Sequence, residues 1–219
     1  MENAAASAGL AVVGAGALGC AVLQELTSLP GIGLTIIDGD RVEAGNPGRQ
    51  PLYDVADIGR PKVEAAISRL MAKGASGLRP VDAFLHDGNA RQLLRGHRFV
   101  LDCTDDLHAK RVIDEACRDL RVPLISGGVH AAQGQVVWLH GPGPGEGLMR
   151  SDLFAGRITE EQDGCDMRGV PAEVISAVAV RMSGMAEAFL RGIDPRNAEL
   201  AVFDQRTGHW STFCIAMPA

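Results

Sequence analysis

The stretch Leu10 to Asp40, LAVVGAGALGCAVLQELTSLPGIGLTIIDGD, constrains the fold more than any other part of this chain. Leu10 to Val13 is a short apolar run with two β-branched residues, the pattern of a strand buried on both faces of a parallel sheet. It runs into Gly14, Gly16 and Gly19, spaced G-x-G-x-x-G. In such a turn the first glycine permits a tight bend, the second lets a phosphate approach the backbone, and the third lets the next helix pack against the strand. Ala17 to Leu29 has helical content, Pro30-Gly31 stops it, and Leu34 to Ile37 reads as a second buried strand tipped by Asp38. That carboxylate is placed to take the hydroxyls of a ribose, while backbone N–H groups at the helix start face an anion. The unit reads as a nucleotide-binding one. A glycine turn with no ligand is the alternative, and the strand, helix and acid-tipped strand around the motif argue against it.

The chain has 219 residues, a length that suits one α/β domain spanning residues 1–219. Hydrophobic residues make up 46% and aromatics only 4%, so the core is built from Val, Leu, Ile, Ala and Met, and a nucleobase-stacking surface is not expected. A formal charge of −6 provides no basic field, so nucleic acid is not an expected partner. No apolar run approaches the ~18 residues of a membrane span, and Met1 to Ala8 lacks the regions of a signal peptide, which gives a cytoplasmic expectation with no membrane partner. Cys20, Cys103, Cys117, Cys165 and Cys214 are odd in number and form no C-x-x-C pair, so neither a disulfide framework nor a tetrathiolate zinc site is expected.

Gly39 to Gln50 is polar, with three glycines and a proline, and reads as a long loop leaving the carboxyl end of the second strand. Doubly wound sheets place ligands at that edge, which makes Asp40, Asn46 and Arg49 candidates for nucleotide contact as well as plain surface residues. Pro61 suits the first turn of a helix that runs to about Lys73. Lys62 in that turn opposes the helix dipole, and a bound phosphate would offset the cost; a solvated lysine is the other reading. Leu78 to Leu85 reads as a third strand, Asn89 to Leu94 as a helical turn, and Phe99 to Leu101 as a fourth strand. Asp102, Asp105 and Asp106 then crowd its end. Thr104 or Asp105 can cap the following helix, or one carboxylate can hold a hard divalent cation beside a phosphate. Leu107 to Leu120 is the next helix and Val122 to Ile125 the next strand, with Gly127-Gly128 turning into Gln133 to Leu139. The short connection makes that last strand antiparallel.

From His140 to Asp163 the composition reads as a mobile connection. Cys165 stands between Asp163 and Asp166, whose charges disfavour a thiolate, and on local sequence it is a bystander. Pro171 to Leu190 is the longest helix, with a stripe of Val174, Ala177, Val178, Arg181, Met182, Met185 and Phe189; Arg181 either pairs in an interface or snorkels. Leu200 to Phe203 and His209 to Ile215 read as a closing hairpin. His86, His97, His108, His130, His140 and His209 show no ligand spacing and are read as surface or loop residues.

Taken together, GAGALG, IIDGDRVEAGNPGRQ, DIGRPK, LDCTDD and VPLISGGVHAAQGQV resemble the ubiquitin-activating-type adenylyltransferases, the ThiF/MoeB/HesA family, from about Leu10 to Phe213. The resemblance implies a Rossmann-like doubly wound, mostly parallel α/β sheet with antiparallel C-terminal strands. It implies ATP- and Mg²⁺-dependent adenylation of the C-terminal glycine of a ubiquitin-like sulfur carrier ending in Gly-Gly, in preparation for thiocarboxylate formation in pathways such as thiamine or molybdopterin synthesis. On that reading Gly14, Gly16, Gly19 and Asp38 hold ATP, Asn46, Arg49 and Lys62 handle phosphates, and Asp105 binds Mg²⁺. Cys165 aligns with a cysteine of the sulfur-carrier activators, which reopens a catalytic role for it. A homodimer is also implied, with an unidentified sulfur donor. Three features depart from the family pattern: Met1 to Ala8 carries no arginine to reach a partner subunit, the zinc cysteine pairs are missing, and Asp106 stands where asparagine is usual. Two other readings compete, an NAD-dependent oxidoreductase with Asp38 on the ribose, and a non-catalytic subunit that binds a ubiquitin-like protein.

Overall fold

The four residues of the first strand serve two cores. Leu10 and Val12 pack on one face of the sheet, Ala11 and Val13 on the other. The run is apolar throughout because helices cover both faces. The computed structural model describes residues 9–29, 31–143, 145–154 and 169–214. In chain order its elements are β1 (Leu10–Val13), α1 (Ala17–Leu26), β2 (Leu34–Ile37), a 3₁₀ turn (Val55–Asp57), α2 (Lys62–Ala72), β3 (Leu78–Val81), α3 (Ala90–Leu94), β4 (Val100–Asp102), α4 (Leu107–Leu120), β5 (Leu124–His130), β6 (Gln133–Leu139), α5 (Arg150–Phe154), α6 (Ala172–Leu190), β7 (Glu199–Asp204) and β8 (His209–Cys214).

The strands form one sheet in the order β3-β2-β1-β4-β5-β6-β7-β8. β1 to β5 are parallel, and β6, β7 and β8 continue antiparallel. This is the doubly wound, mostly parallel sheet with antiparallel C-terminal strands. α1, α2 and α6 pack on one face through Leu23, Ile67 and Met182, and α3 and α4 on the other through Leu94, Ile113 and Cys117. The chain reverses direction across the sheet between β1 and β4, so a crevice opens outside their carboxyl ends, where this topology binds ligands.

Four elements differ from the sequence reading. β3 stops at Val81 and does not reach Leu85, because its partner β2 ends opposite it at Ile37 and an edge strand has no other neighbour to pair with. Pro80 is tolerated there for the same reason. Gly127-Gly128 is not a turn. Both lie inside β5, which continues to His130, and the chain reverses at Ala131, whose φ is +48°. Gly127 is glycine because a Cβ would come within 2.3 Å of Met182 Sδ, so its lack of a side chain lets α6 lie close to the sheet. α5 forms inside the stretch read as a mobile connection. α1 ends at Leu26, three residues before the expected limit, as the Thr27 hydroxyl donates to the Leu23 carbonyl at 2.8 Å.

Of the histidines read as surface or loop residues, His140 stands in the loop after β6 but not at the surface. It is 3% exposed, and its Nε2 lies 2.7 Å from Asp114 Oδ1 on α4. Arg181 on α6 lies 3.5 Å from Glu199 of β7 and stacks over the Trp210 ring, so it pairs within the chain.

Candidate nucleotide site

A cavity of about 800 Å³ occupies the crevice, within the ordinary range for small-molecule sites. The turn after β1 forms its floor. Gly14 has a φ of +91°, and a Cβ there would meet the Cys103 backbone at 3.0 Å, so the turn and the end of β4 touch without side chains between them. A Cβ on Gly19 would lie 2.0 Å from the Gly14 carbonyl oxygen; this glycine sets the distance of α1 from the strand. Gly16 is different. Its φ is −74° and a Cβ would meet nothing within 4 Å. The space in front of it is the cavity itself, an opening of the kind an anion needs to approach the backbone at a helix start.

Ala15, between the first two glycines, is held at both polar atoms. Its N–H donates to Asp38 Oδ2 at 2.6 Å, and its carbonyl accepts from the Tyr53 hydroxyl at 2.7 Å. Asp38 Oδ1 accepts the Asp40 N–H at 2.7 Å. Burial pushes the Asp38 carboxyl up from its ordinary value, and the two backbone donors oppose that shift without cancelling it. The acid is therefore fixed in orientation beside the glycine turn, at the tip of β2.

Lys62 is not solvated. It is 8% exposed, and its Nζ lies 2.8 Å from Asp40 Oδ2. Burial works against its charge, but the Asp40 hydrogen bond and the attraction of Asp38 outweigh it and raise the pKa. The cost of a lysine in a first helical turn is thus met by a carboxylate within the chain. Arg49 reaches the cavity with Nε and Nη2 on the Gly45 carbonyl at 3.1 and 3.0 Å. Asn46 does not line the cavity. It is buried, its Oδ1 accepts the Glu43 N–H at 2.9 Å, and its carbonyl accepts from Arg49 N and Gln50 N, so it builds the turn that presents Arg49.

At the end of β4 the three carboxylates divide their tasks. Asp102 is fully buried: Oδ2 accepts from Lys110 Nζ at 2.9 Å and Ser126 Oγ at 2.7 Å, and Oδ1 from Thr104 N at 3.0 Å and Thr104 Oγ1 at 2.6 Å. Burial alone would raise its pKa, yet Lys110 and these hydroxyls hold it below the usual carboxylate range. Asp106, and neither Thr104 nor Asp105, caps α4, its Oδ2 accepting the Ala109 N–H at 2.6 Å. Aspartate is among the preferred residues for that position. Asp105 is exposed and faces the cavity. Among the described residues no three His, Cys, Asp or Glu converge as a metal cage. One or two carboxylates beside phosphate oxygens are what Mg²⁺ uses, so the donor set suits a cation that arrives with a nucleotide.

The structure brings Gly14, Gly16, Asp38, Asp40, Arg49, Lys62 and Asp105 to one cavity. Gly19 acts behind it, and Cys165 lies outside the described residues. Three contributors were not singled out from sequence. Tyr53 is buried under the glycine turn, Phe84 stands 64% exposed against Gly39, and Arg150 enters from α5. The reading of Phe84 as a strand residue hid it, and Arg150 sits in a Gly/Pro-rich stretch with no periodicity.

The ThiF family model matches residues 2–219. The chain is 34% identical over 200 residues to a molybdopterin-synthase adenylyltransferase of Escherichia coli, covering 90% of this chain and 78% of that protein. It is 37% identical over 139 residues to a sulfur carrier protein adenylyltransferase of Thermus thermophilus, covering 62% of this chain and 50% of that one. Among solved structures, E. coli MccB with ATP superposes with a TM-score of 0.75 at 16% identity, over 95% of this chain and 64% of that one, a likeness of fold. The chain spans about half the length of several curated relatives that it matches.

Proposed function

The chain belongs to the ThiF family, and from that premise we propose that it uses ATP and Mg²⁺ to adenylate the C-terminal glycine carboxylate of a ubiquitin-like sulfur carrier ending in Gly-Gly. The observation that carries this reading is the meeting of the glycine turn, the fixed Asp38, two cations and Asp105 in one cavity. In the reaction a carboxylate oxygen forms a bond to the α-phosphorus, the bond from that phosphorus to the bridging oxygen breaks, and pyrophosphate leaves with the electron pair. Attack by an anion on a polyanion is opposed by like charge, so preorganised cations supply the main stabilisation. Arg49 and Lys62 would hold the phosphates, Lys62 exchanging Asp40 for a phosphate oxygen, while the open face of Gly16 admits the phosphate chain to the N–H groups of α1. Asp38 would take the ribose hydroxyls. Mg²⁺ held by Asp105 would neutralise the departing pyrophosphate.

An oxidoreductase using NAD would employ the same glycines and Asp38 but would leave Arg49, Lys62 and Asp105 without a task, and the relatives are named as adenylyltransferases. The family resemblance further supports a cytoplasmic homodimer and a later sulfur step, serving molybdopterin or thiamine synthesis, in which Cys165 is the residue to test. ATP–pyrophosphate exchange in Mg²⁺, with carrier proteins ending in Gly-Gly, tests the proposal. Exchange that requires both carrier and Asp105, and that falls by at least ~100-fold in Asp105→Ala, is the expected result. Nucleotide binding without exchange would point instead to a non-catalytic subunit, and binding of NADH in place of ATP would overturn the assignment.

A further inference from the structure

The order of strands along the sheet edge works as a ruler for a nucleotide in the cavity, and Arg150 lies past the end of it. Reading from the β3 edge, the cavity is lined by Phe84 after β3, Asp38 and Asp40 after β2, Gly14 and Gly16 after β1, and Asp105 after β4. A ribose on Asp38 and phosphates over Gly16 and Asp105 occupy β2, β1 and β4 in turn. The next strand is β5, about 14 Å from β2 at the usual strand spacing. There the wall of the cavity carries Arg150.

Arg150 is 7% exposed, and its place is set at both ends. Its backbone N–H donates to Asp114 Oδ2 on α4 at 2.7 Å, the same carboxylate that holds His140. Its Nη1 donates to Ser126 Oγ on β5 at 3.2 Å, and Ser126 in turn donates to Asp102 beneath the Thr104–Asp105 turn. The guanidinium is thus tied to the floor of the expected metal position, and it enters from the opposite side to Arg49 and Lys62, which come from the chain between β2 and α2. A planar guanidinium is suited to two-pronged contact with a carboxylate or phosphate.

We infer that Arg150 is a further substrate-binding residue, contacting an oxyanion at the β5 end of the cavity, either the terminal phosphates of ATP or the carboxylate that attacks it. This rests on the adenylation reading above. The test uses Arg150→Lys, which keeps the charge and loses the fork, and Arg150→Met, which loses both. Dissociation constants for ATP and AMP are measured by calorimetry with Mg²⁺, and the dependence of pyrophosphate exchange on a synthetic peptide ending in Gly-Gly is measured alongside. Charged hydrogen bonds of this kind correspond to about tenfold or more in affinity. Weaker ATP binding with unchanged AMP binding assigns Arg150 to the terminal phosphates. Unchanged binding of both nucleotides with a raised KM for the peptide assigns it to the carboxylate, and in either case Arg150→Lys falls between wild type and Arg150→Met. The AMP affinity also reports that each variant is folded. Variants that match wild type in ATP, AMP and peptide overturn this inference alone, whereas a wild-type protein that binds no ATP overturns it together with the adenylation reading.

Discussion

Gly16 and Gly19 stand three residues apart in one turn and answer to different forces. Gly19 faces the Gly14 carbonyl, so Gly19→Ala drives a methyl into backbone that cannot move aside, and denaturant unfolding is expected to show a loss of about 1–3 kcal/mol. Gly16 faces open cavity with a φ that any residue adopts, so Gly16→Ala is expected to leave the unfolding midpoint within ~0.5 kcal/mol of wild type while weakening ATP binding in calorimetry. The motif spacing was legible in the sequence, but the division of labour within it was not, because it depends on what lies opposite each Cα. Lys62 gives a second case. Its folded-state pKa is raised above the ordinary 10.5, so the stability its charge contributes is fully present below that pH and is lost as pH rises through the folded value. Asp40 is half exposed, so Asp40→Asn is expected to cost about 1 kcal/mol at pH ~8, with the gap to wild type closing in strongly alkaline buffer. Thermal unfolding across that range checks it.

At the scale of elements, β4 and α4 are joined by the Asp102–Lys110 pair, both partners buried. Removing one partner leaves an uncompensated charge in the interior, so Lys110→Met is expected to destabilise by about 3–5 kcal/mol. Adding Asp102→Asn should recover part of that loss, and a double-mutant cycle by denaturant unfolding measures how much. The pair was not legible as a pair: Asp102 was one of three neighbouring carboxylates, and only the fold shows that Asp102 points inward, Asp106 caps the helix and Asp105 faces out. Parallel strands were legible because burial on both faces demands unbroken apolar runs. Gly127-Gly128 was misread for the converse reason. Two adjacent glycines serve a turn or a close approach equally well, and the choice was made by α6, some fifty residues further on. α5 has five residues, too few for a periodic signal, so both the helix and Arg150 at its head escaped notice.

For the whole molecule, the site is assembled from loops that follow β1, β2, β3 and β4, so a bound nucleotide ties together parts of the chain that are far apart in sequence. A ligand that binds only the folded state adds RT ln(1 + [L]/Kd) to its stability, about 2.7 kcal/mol at one hundred times Kd. ATP with Mg²⁺ is therefore expected to raise the unfolding temperature by several degrees. Chelation of the metal should abolish pyrophosphate exchange while leaving the unfolding of the nucleotide-free protein unchanged, since the described residues hold no ready-made metal cage. Differential scanning calorimetry with ATP and Mg²⁺ and with chelator tests the two effects on unfolding, and the exchange assay with chelator tests the loss of activity.

The Thr104 N–H and hydroxyl both end on Asp102, a carboxylate locked beneath the sheet edge by Lys110 and Ser126. A loop fastened in this way is expected to have no separate melting point. The turn that carries Asp105 is expected to open only when the domain opens, so protection of the Thr104 N–H against hydrogen exchange should match the global unfolding free energy.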